Sequence, residues 1–406
     1  MDFDDTAEEG IYRAEVRCWL EANAPAVASA RSADLDEAAR LVRARAWQAL
    51  KAEAGYARVT WPREWGGGGG TPIQQVIFNQ EEARFDVPSG FFGIGLGMCL
   101  PTVMKYAEEG TRQRFVAPAL RGEQIWCQLF SEPSAGSDAA AVRTRAVRSG
   151  DDWIVSGQKV WTTGAHYCDY GLLLTRTDPS VPKHRGLTMF WIDMKAPGVS
   201  VRPIHQMTGG SDFNEVYLDQ VRIADAQRLG EVGEGWKVAI FTLMNERVEG
   251  GKPRGPEIDA VLRLAAQVPH GESTLLGDGA FRARLADWFV QSEGLKYTRF
   301  RTMTALSRGL APGPEASIGK LVAVNRLQDL AHELIEQQDL FGLVCDPARA
   351  ALDASLQHDF LYAPGLRIAG GTDEILKNII AERVLGLPPD VRVDKDVSFN
   401  ALPGSH

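Results

Sequence analysis

The spacing of apolar residues changes twice along the chain, and the change predicts helices, then strands, then helices. Near the start, the segment 38–54 places Leu41, Ala44, Trp47 and Leu50 at helical spacing with charged residues between them. From about residue 126 to residue 230, short runs rich in β-branched and aromatic residues alternate with turn residues. These runs lie at 142–147, 153–155, 171–175, 187–192, 199–203 and 215–223. Repeated short strands at this spacing predict a small barrel or a pair of sheets.

Helical spacing returns near residue 235 and continues, with loops, to about residue 386. The segments 281–306 and 316–341 are long enough for bundle helices, and the segment 307–315, rich in Gly and Pro, is the turn between them. The predicted fold class is therefore α+β. We expect an N-terminal helical domain at 1–125, a middle β-domain at 126–230, a C-terminal helical bundle at 231–388 and a tail at 389–406.

Two glycine-rich stretches are weak candidates for nucleotide binding. The run Gly66 to Gly70 has no strand before it and no Lys-Ser/Thr after it, so we expect a loop. The stretch from Gly93 to Met98 lacks the third glycine of a dinucleotide fingerprint, because Met98 occupies that position. Its apolar flanks predict a helix whose glycines allow close packing.

Composition and charge narrow the classes of function. The chain has 406 residues, 44% of them hydrophobic, and a net charge of −9, which disfavours a nucleic-acid partner. No run of about 18 apolar residues could span a bilayer, so we predict no membrane insertion. The first residues are acidic, where a signal peptide is basic and then apolar. A cytoplasmic enzyme is the expectation.

Cysteine and histidine positions predict neither disulfides nor a metal site. The cysteines show no Cys-x-x-Cys spacing and are expected to be reduced thiols; they are Cys18, Cys99, Cys127, Cys168 and Cys345. The central histidines His166, His184 and His205 are far apart and flanked by turn residues. We expect no metal.

Three motifs carry most of the functional information. The first is Gln128-Leu-Phe-Ser-Glu-Pro-Ser-Ala-Gly-Ser-Asp138, whose backbone N–H groups and hydroxyls suit a phosphate or a ring edge. The second, Gly157-Gln-Lys-Val-Trp-Thr-Thr163, ends in a flat indole and two hydroxyls. The third runs from Ile368-Ala-Gly-Gly-Thr-Asp-Glu-Ile375 through Ala381-Glu-Arg-Val-Leu-Gly-Leu-Pro388. In this order they resemble the flavin-contacting strands and the closing motif of the acyl-CoA dehydrogenase family, over nearly the whole chain.

The resemblance implies an enzyme that binds FAD and a C-terminal bundle of four helices. Members of the family remove the α-proton and the β-hydride of an acyl-CoA thioester and form the trans-2-enoyl product. Trp161 is implied to flank the flavin ring and Thr163 to approach N5. The implied cofactor-binding residues are Gln128, Leu129, Phe130, Ser131, Gly136, Ser137, Trp161, Thr162, Thr163, Thr372 and Glu374. The implied substrate-binding residues are Ser137, Arg247 and Gly370.

The catalytic base departs from the best-known pattern of the family. Many members carry a glutamate directly before the Gly-Thr of the closing motif, where this chain has Gly370. A subset places the glutamate on the first helix of the C-terminal domain, before an arginine, as in Glu246-Arg247 here. On a helix, Glu246 borders an apolar stripe formed by Trp236, Ile240 and Leu243. A partly desolvated carboxylate there is suited to general-base work, so we predict Glu246 as the base.

Other departures concern the far end of the cofactor and the helix after the base. The segments 272–277 and 336–342 do not match the motifs with which a neighbouring subunit grips the adenosine part of FAD. Cross-subunit binding is therefore an open question. Gly250, Gly251, Pro253 and Pro256 predict a bent or broken helix soon after Glu246.

The expected partners are an acyl-CoA substrate and, by family implication, an electron-transfer flavoprotein. The chain is expected to form a homo-oligomer or a hetero-oligomer with a related subunit. Two alternatives stay open, since fold does not fix chemistry. One is a flavin monooxygenase or oxidase on the same fold. The other is a non-catalytic subunit that stabilises a partner dehydrogenase.

Overall fold

The computed structural model describes residues 5–27, 35–88, 90–249, 255–308, 313–314, 316–391 and 394–402. Within the helices it describes the backbone alone at 246–249, 306, 307 and 316. The chain divides into two compact units. The first comprises residues 4–206, 211–250 and 391–406, and the second comprises residues 1–3, 207–210 and 251–390.

The first unit begins with five helices, confirming the predicted helical N-terminal region. They are α1 (Ala7–Val27), α2 (Glu37–Glu53), α3 (Pro72–Glu82), α4 (Leu100–Tyr106) and α5 (Glu109–Leu120). Asp36 caps α2 by accepting from the backbone N–H of Ala39, and Thr71 forms a capping box with Gln74 at α3. The predicted apolar helix at 93–98 is confirmed as a π-turn, Gly95–Cys99, that leads directly into α4.

Eight strands of the described chain form one sheet in this unit. They are β1 (Trp126–Leu129), β2 (Arg145–Ser149), β3 (Asp152–Thr163), β4 (Tyr170–Arg176), β5 (Leu187–Asp193), β6 (Val199–Pro203), β7 (Phe213–Ala224) and β8 (Arg228–Leu229). The order is β6-β7-β3-β2-β4-β5-β8, with β1 parallel to β4. A single residue pair, Arg145 with Arg176, joins β2 to β4. The sheet therefore has two halves that meet at this pair, in keeping with the predicted sheet pair.

Helix α6 (Gly235–Glu249) packs against β5 and α4 within the first unit. The close approach of α6 to β5 requires a glycine at the first position of the helix. A Cβ on Gly235 would lie 2.6 Å from the carbonyl carbon of Leu187 and from the nitrogen of Thr188. A hydrogen bond of 2.8 Å between the buried hydroxyls of Thr102 and Thr242 joins α4 to α6. The helix ends at Glu249, before the predicted break; residues 250–254 lie outside the described part of the chain.

The second unit is helical, as predicted for the C-terminal region. Its helices are α7 (Ile258–Ala265), α8 (Gly279–Ser307), α9 (Ala316–Glu336), α10 (Ser355–Ile368) and α11 (Asp373–Ile379), with a short hairpin of β9 (Pro269–His270) and β10 (Ser273–Thr274). Its core includes Phe281, Trp288 and Leu334. The helix predicted at 316–341 ends at Glu336, and a 3-10 turn follows at Asp339–Leu343. The division into domains at 125, 230 and 388 stays a prediction.

Replacing Gly235 by Ala should lower the free energy of unfolding of the first unit by about 1 to 3 kcal/mol, because the new methyl group must displace the β5 backbone. Urea titration of wild type and variant measures this difference. Gly110→Ala is the matched control, since a Cβ at Gly110 in α5 meets no atom within 4 Å. Equal stability of the Gly235 and Gly110 variants would contradict the close α6–β5 contact.

Candidate active site on the central sheet

The loop that follows β1 begins deep in the sheet and ends at the surface. Gln128 and Leu129 pair with Leu172 and Leu173 of β4, and Phe130 is buried. The carbonyl of Ser131 accepts a hydrogen bond of 2.9 Å from the backbone N–H of Val160 on β3. The first motif of the sequence is therefore held directly beside the second.

A buried ion pair fixes this arrangement. The ammonium of Lys159, which is fully buried, donates to Glu132 Oε1 at 2.7 Å, to the carbonyl of Phe130 at 3.0 Å and to the carbonyl of Leu174 at 2.7 Å. The Glu132 carboxylate also accepts from the backbone N–H groups of Arg143 and Thr144. One lysine thus ties the loop after β1 to β3 and β4, and every proton of its ammonium has an acceptor.

Burial acts on both members of this pair. It tends to raise the pKa of Glu132, but the charge of Lys159 and the hydrogen bonds from Lys159, Thr144 and Arg143 outweigh burial and lower that pKa. Because the folded state favours the ionised carboxylate, Glu132 contributes to stability at pH values above those at which a free glutamate titrates. It is lost as the pH falls through the lowered pKa.

Trp161 has the most unusual conformation on β3. Its φ is +60°, the left-handed region that a bulky residue rarely adopts, and it lies at a register shift between Lys159 and Thr162. The side chain is 59% exposed and contacts the edge of Phe213, with ring centroids 6.0 Å apart. A left-handed residue of this size costs of order 1 to 3 kcal/mol, and such strain is concentrated at functional sites. The fold therefore presents an indole to the surface at an energetic cost.

Two threonines, Thr162 and Thr163, continue β3 beyond Trp161. Thr162 is buried, and its hydroxyl has no hydrogen-bond partner among the described residues. The carbonyl of Thr162 accepts from Asn214 Nδ2 at 3.0 Å, and Thr163 pairs with Phe213 of β7. The hydrogen bond between Ser131 and Val160 thus brings the loop after β1 beside the end of β3 that carries Trp161–Thr163.

The end of the first motif lies at the surface beside the C-terminal tail. Gly136, Ser137 and Asp138 are exposed, and a Cβ at Gly136 would meet no atom within 4 Å. Lys183 joins Asp138 to Asp394 of the tail, each at 2.6 Å. The tail therefore supports the loop that carries the predicted phosphate ligand Ser137.

The third motif forms a turn in the second unit. Gly370 and Gly371 both have positive φ, +61° and +94°. The Lys320 ammonium donates to the carbonyls of Ala369 and Gly371, the residues that flank Gly370. Thr372 caps α11 by accepting from the N–H of Ile375. Hydrogen bonds donated to the Glu374 carboxylate by its own backbone N–H and by the Thr372 hydroxyl lower the pKa of Glu374.

A concavity of about 280 Å³ lies beside this turn, lined by Thr372, Asp373 and Glu374 together with Gln328 and Arg367. Arg367 bonds the buried carboxylate of Asp373 at 2.6 Å. The two predicted cofactor ligands of the third motif, Thr372 and Glu374, therefore line one hollow.

The predicted base is described only in its backbone. Glu246 and Arg247 lie on α6, in the first unit, and their side chains are outside the described structure. Of the apolar stripe predicted beside Glu246, Trp236 and Leu243 are half-buried and Ile240 is exposed. Ala239 and Thr242, seven and four positions before Glu246, are fully buried.

Sequence reasoning missed the residues that hold the site. Glu132 lay inside the first motif and Lys159 inside the second, yet neither was singled out. The signal was the position of Lys159, which continues the alternate positions of Trp153 and Val155 along the strand, since a lysine on an apolar face needs a buried partner. Asn214 and Lys183 gave no comparable signal.

The described residues contain neither a helix that could cross a membrane nor a cluster of side chains that could hold a metal ion. No described helix has the length and apolarity needed to cross a membrane. Across the same residues, no group of three or more His, Cys, Asp or Glu side chains has a geometry that could hold a metal ion.

Three family models match consecutive parts of the chain. They are described as "Acyl-CoA dehydrogenase, N-terminal domain" at residues 6–123, "Acyl-CoA dehydrogenase, middle domain" at 127–221 and "Acyl-CoA dehydrogenase, C-terminal domain" at 233–385. The resemblance inferred from the three motifs is confirmed by these matches.

Two mycobacterial relatives match over most of the chain. Acyl-CoA dehydrogenase IpdE1 of Mycolicibacterium smegmatis is 33% identical over 395 residues, covering 94% of this chain and 98% of that protein. Acyl-CoA dehydrogenase FadE34 of Mycobacterium tuberculosis is 39% identical over 343 residues, covering 84% of this chain and 46% of that protein. The chain therefore spans about half the length of FadE34.

Solved structures confirm the fold. The ChsE4-ChsE5 complex from Mycobacterium tuberculosis matches at 28% identity with a TM-score of 0.77, covering 96% of this chain and 100% of that chain. A structure described as the Tcur3481-Tcur3483 steroid ACAD matches at 24% identity with a TM-score of 0.78 and the same coverage.

Replacing Lys159 by Met should lower the free energy of unfolding by about 3 to 5 kcal/mol, because Glu132 would be left buried without its partner. Chemical denaturation at pH 7 measures this loss. The double variant Lys159→Met/Glu132→Leu should recover part of it. Arg222→Met is the control, since its ion pair with Asp152 is exposed and should change stability by less than about 1 kcal/mol. Similar losses in the Lys159 and Arg222 variants would contradict the role given to the buried pair.

Proposed function

The chain belongs to the acyl-CoA dehydrogenase family, and we propose that it oxidises an acyl-CoA thioester to the trans-2-enoyl-CoA with bound FAD and with Glu246 as the base. The chain is thus an oxidoreductase of the acyl-CoA dehydrogenase type. The observation that carries the proposal furthest is Trp161, an exposed indole on a left-handed backbone beside the first motif. Strain of this kind persists where the surrounding contacts enforce it and is concentrated at functional sites, which supports a ligand site here.

The residues of the central sheet fit a flat ring followed by a phosphate chain. Trp161 offers an exposed aromatic face, and the unpartnered hydroxyl of Thr162 leaves one polar group for a ligand to satisfy. Open space at Gly136 allows close approach to the backbone before Ser137. In this proposal the flavin ring contacts the backbone of Gln128, Leu129, Phe130 and Ser131. It also lies beside Trp161, Thr162 and Thr163. Gly136 and Ser137 bind phosphate, and Thr372 and Glu374 complete the nucleotide site.

Glu246 takes the α-proton of the thioester in this proposal. It follows the fully buried Ala239 by seven positions and Thr242 by four, so its position continues the face of α6 that is buried. Partial desolvation, which we expect for a carboxylate on that face, would favour general-base work. Arg247, the next residue, supports the carboxylate or the thioester end of the substrate.

Gly370 supplies a donor rather than a base. A glycine at this position has no carboxylate but keeps its backbone N–H, which we assign to the thioester carbonyl. Enolate charge that develops as the α-proton leaves is stabilised by such a donor, at a few kcal/mol for each hydrogen bond. FAD, when bound, accepts the β-hydride, so the α-proton on Glu246 and the hydride together account for the two hydrogens removed.

The substrate is proposed to carry a bulky acyl group. Gly370 has no side chain to fill space near the reacting carbons. Trp236, Ile240 and Met244 recur every fourth residue on α6; Trp236 is half-buried and the other two are exposed, so the helix carries an apolar ridge. A structure of the same fold carries "steroid ACAD" in its description. A ring-bearing or branched acyl chain, such as a sterol side chain, is therefore our proposed substrate class.

The proposed assembly is an oligomer of this chain or of this chain with a related subunit. A matched structure at 28% identity is a complex of two named chains. The second unit exposes Leu340, Phe341 and Leu343, each by more than 70%, which suits burial against another subunit. An electron-transfer flavoprotein is the proposed electron acceptor. All five cysteines are free, which suits a reducing, cytoplasmic setting.

One observation keeps a second candidate in view. The position before Gly371-Thr372 has no carboxylate, and a chain without a base could serve only to stabilise a partner dehydrogenase. Such a subunit, purified alone, would bind little flavin and oxidise no thioester. An oxidase on the same fold would instead reoxidise its flavin rapidly with oxygen.

Anaerobic bleaching of the flavin absorbance tests the proposed function. Straight-chain, branched and sterol-side-chain acyl-CoAs are added in turn to wild type and to Glu246→Gln. We expect one substrate class to bleach wild type rapidly and the variant at least 1,000-fold more slowly, because an amide cannot take the α-proton. Glu231→Gln, with an exposed carboxylate just before α6, is the control and should behave as wild type.

Bleaching that persists undiminished in Glu246→Gln would overturn the assignment of the base. Flavin that no thioester bleaches, but that oxygen rapidly reoxidises after reduction with dithionite, would favour the flavin monooxygenase or oxidase alternative. Absence of bound flavin would favour the partner-only subunit.

Replacing Trp161 by Gly should raise the free energy of unfolding by about 1 kcal/mol while weakening FAD binding at least tenfold. Glycine adopts the left-handed conformation without strain, and the variant loses the ring contact. Denaturation of the apoprotein and fluorescence titration with FAD measure the two effects. Gln220→Gly is the matched control: Gln220 has φ +51° on β7, so it should gain stability and keep its FAD affinity. A lower stability of Trp161→Gly than of wild type would contradict the inference that the backbone at Trp161 is strained.

A further inference from the structure

The C-terminal tail, described at residues 394–402, is bonded through backbone groups to the loop between β4 and β5. The N–H of Phe399 donates to the carbonyl of Val181 at 2.9 Å, and the N–H of Asn400 donates to the carbonyl of Pro179 at 3.0 Å. Phe399 is 6% exposed, so its ring is buried within the first unit. The tail is therefore held at a fixed position on this loop, although none of its residues takes part in the proposed reaction.

A buried arginine lies against the Phe399 ring and joins the tail to the end of the first motif. Arg176, the last residue of β4, is 3% exposed, and its Cζ lies 3.9 Å from the centroid of that ring. Its N–H groups donate to the carbonyls of Ala140 and Val142, at 2.5 Å and 3.2 Å, and to the carbonyl of Lys183 at 2.6 Å. Because a buried cation needs partners for its donors, Arg176 keeps these carbonyls and the tail in one arrangement.

A second link runs through Lys183 to the loop that ends the first motif. The Lys183 ammonium lies 2.6 Å from a carboxylate oxygen of Asp138 and 2.6 Å from one of Asp394. The Lys183 side chain is 11% exposed, whereas the Asp138 side chain is 52% exposed. Gly136 and Ser137 are exposed as well, and a Cβ at Gly136 would meet no atom within 4 Å. Packing therefore does little to hold these three loop residues, and Lys183, which the tail binds, supplies a fixed contact.

We propose that the tail segment 394–402 is a positioning element that holds residues 136–138 in the conformation that binds the phosphate chain of the nucleotide. It acts through Arg176 and Lys183, whose bonds are made to carbonyls and carboxylates of the protein. The proposal rests on the proposed function for the identity of the ligand. A loop that is ordered before the ligand arrives binds it more tightly, because the entropic cost of ordering the loop no longer opposes binding.

The two ends of the proposed ligand should respond differently to loss of the tail. Without the Phe399 ring, water reaches the Arg176 guanidinium and competes for the carbonyls that it holds. Residues 136–138 then gain freedom, and the affinity for phosphates falls. The segment Trp161–Thr163, beside which the flavin ring is proposed to lie, depends instead on Lys159 and its buried ion pair. A tail that only stabilised the fold would weaken both ends alike.

Titration of the apoprotein with FAD and with riboflavin, which has the same ring system and no phosphate, tests the proposal. In Phe399→Ala we expect the dissociation constant for FAD to rise about tenfold and that for riboflavin to change by less than about twofold, since only the phosphate end loses its support. Asp394→Asn removes a charge bound by Lys183 and should raise the dissociation constant for FAD about threefold. Val391→Ala and Asp396→Asn, at exposed positions near and in the tail segment, are the controls and should bind FAD as wild type does.

Equal losses of affinity for FAD and riboflavin in Phe399→Ala would overturn the proposal. Wild-type affinity for FAD in both Phe399→Ala and Asp394→Asn would overturn it as well. Asp394→Asn leaves Phe399 in place, so the test survives if Phe399→Ala does not fold.

Hydrogen exchange in the apoprotein gives a second readout that needs no flavin. The N–H of Ala141 donates to the carbonyl of Asp138 at 2.9 Å, so its exchange reports on the loop. We expect this N–H to exchange about tenfold faster in Phe399→Ala and in Asp394→Asn than in wild type, and the N–H of Val160 on β3 to exchange at the wild-type rate. Unchanged exchange at Ala141 in both variants would overturn the proposal. If wild type binds no FAD but the variants show the faster exchange, the proposed function fails while the support of the loop by the tail stands.

Discussion

The ion pair between Lys159 and Glu132 is the interaction on which the site depends. The pair is buried, so its geometry must be good enough to offset the cost of removing two charges from water. Lys159 meets this requirement with three acceptors, on the loop after β1, on β4 and on Glu132 itself. Lys159 lies on β3, and Glu132 lies on the loop after β1. If the loop moved relative to the strand, both buried charges would lose their partner, so the segments that carry the two central motifs cannot shift independently.

The strain at Trp161 is possible because its neighbours are fixed. Lys159 lies two positions before Trp161, and Thr162, one position after, is held through its carbonyl by Asn214. Between these two anchors the register of β3 against β7 shifts and the backbone turns left-handed. A rigid sheet thus stores a small amount of energy at the point where the indole faces outward. The proposed function gives this arrangement a purpose, since a ring ligand needs a fixed aromatic neighbour.

Sequence pattern predicted the order of elements because apolar spacing directly reflects burial on helices and strands. The strand at 199–203 was predicted at its observed bounds, and the glycine stretch at 93–98 was rightly separated from a dinucleotide fold. The second motif was predicted to belong to a flavin-contacting strand, but the register shift at Trp161 was not predicted, because a single sequence does not show where the pairing of two strands shifts. The contacts of Lys159 and Asn214 join residues far apart in sequence, and a single sequence contains no record of such pairings.

The base is the central claim, and exchange of the α-proton tests it most directly. A saturated acyl-CoA that wild type accepts is incubated anaerobically in D₂O with protein whose flavin is already reduced, and deuterium at the α-carbon is followed by NMR. Oxidation is then blocked and only proton transfer is measured. We predict exchange in wild type, and in Glu246→Gln no exchange above the rate without protein. Equal exchange in both proteins would contradict the assignment of Glu246.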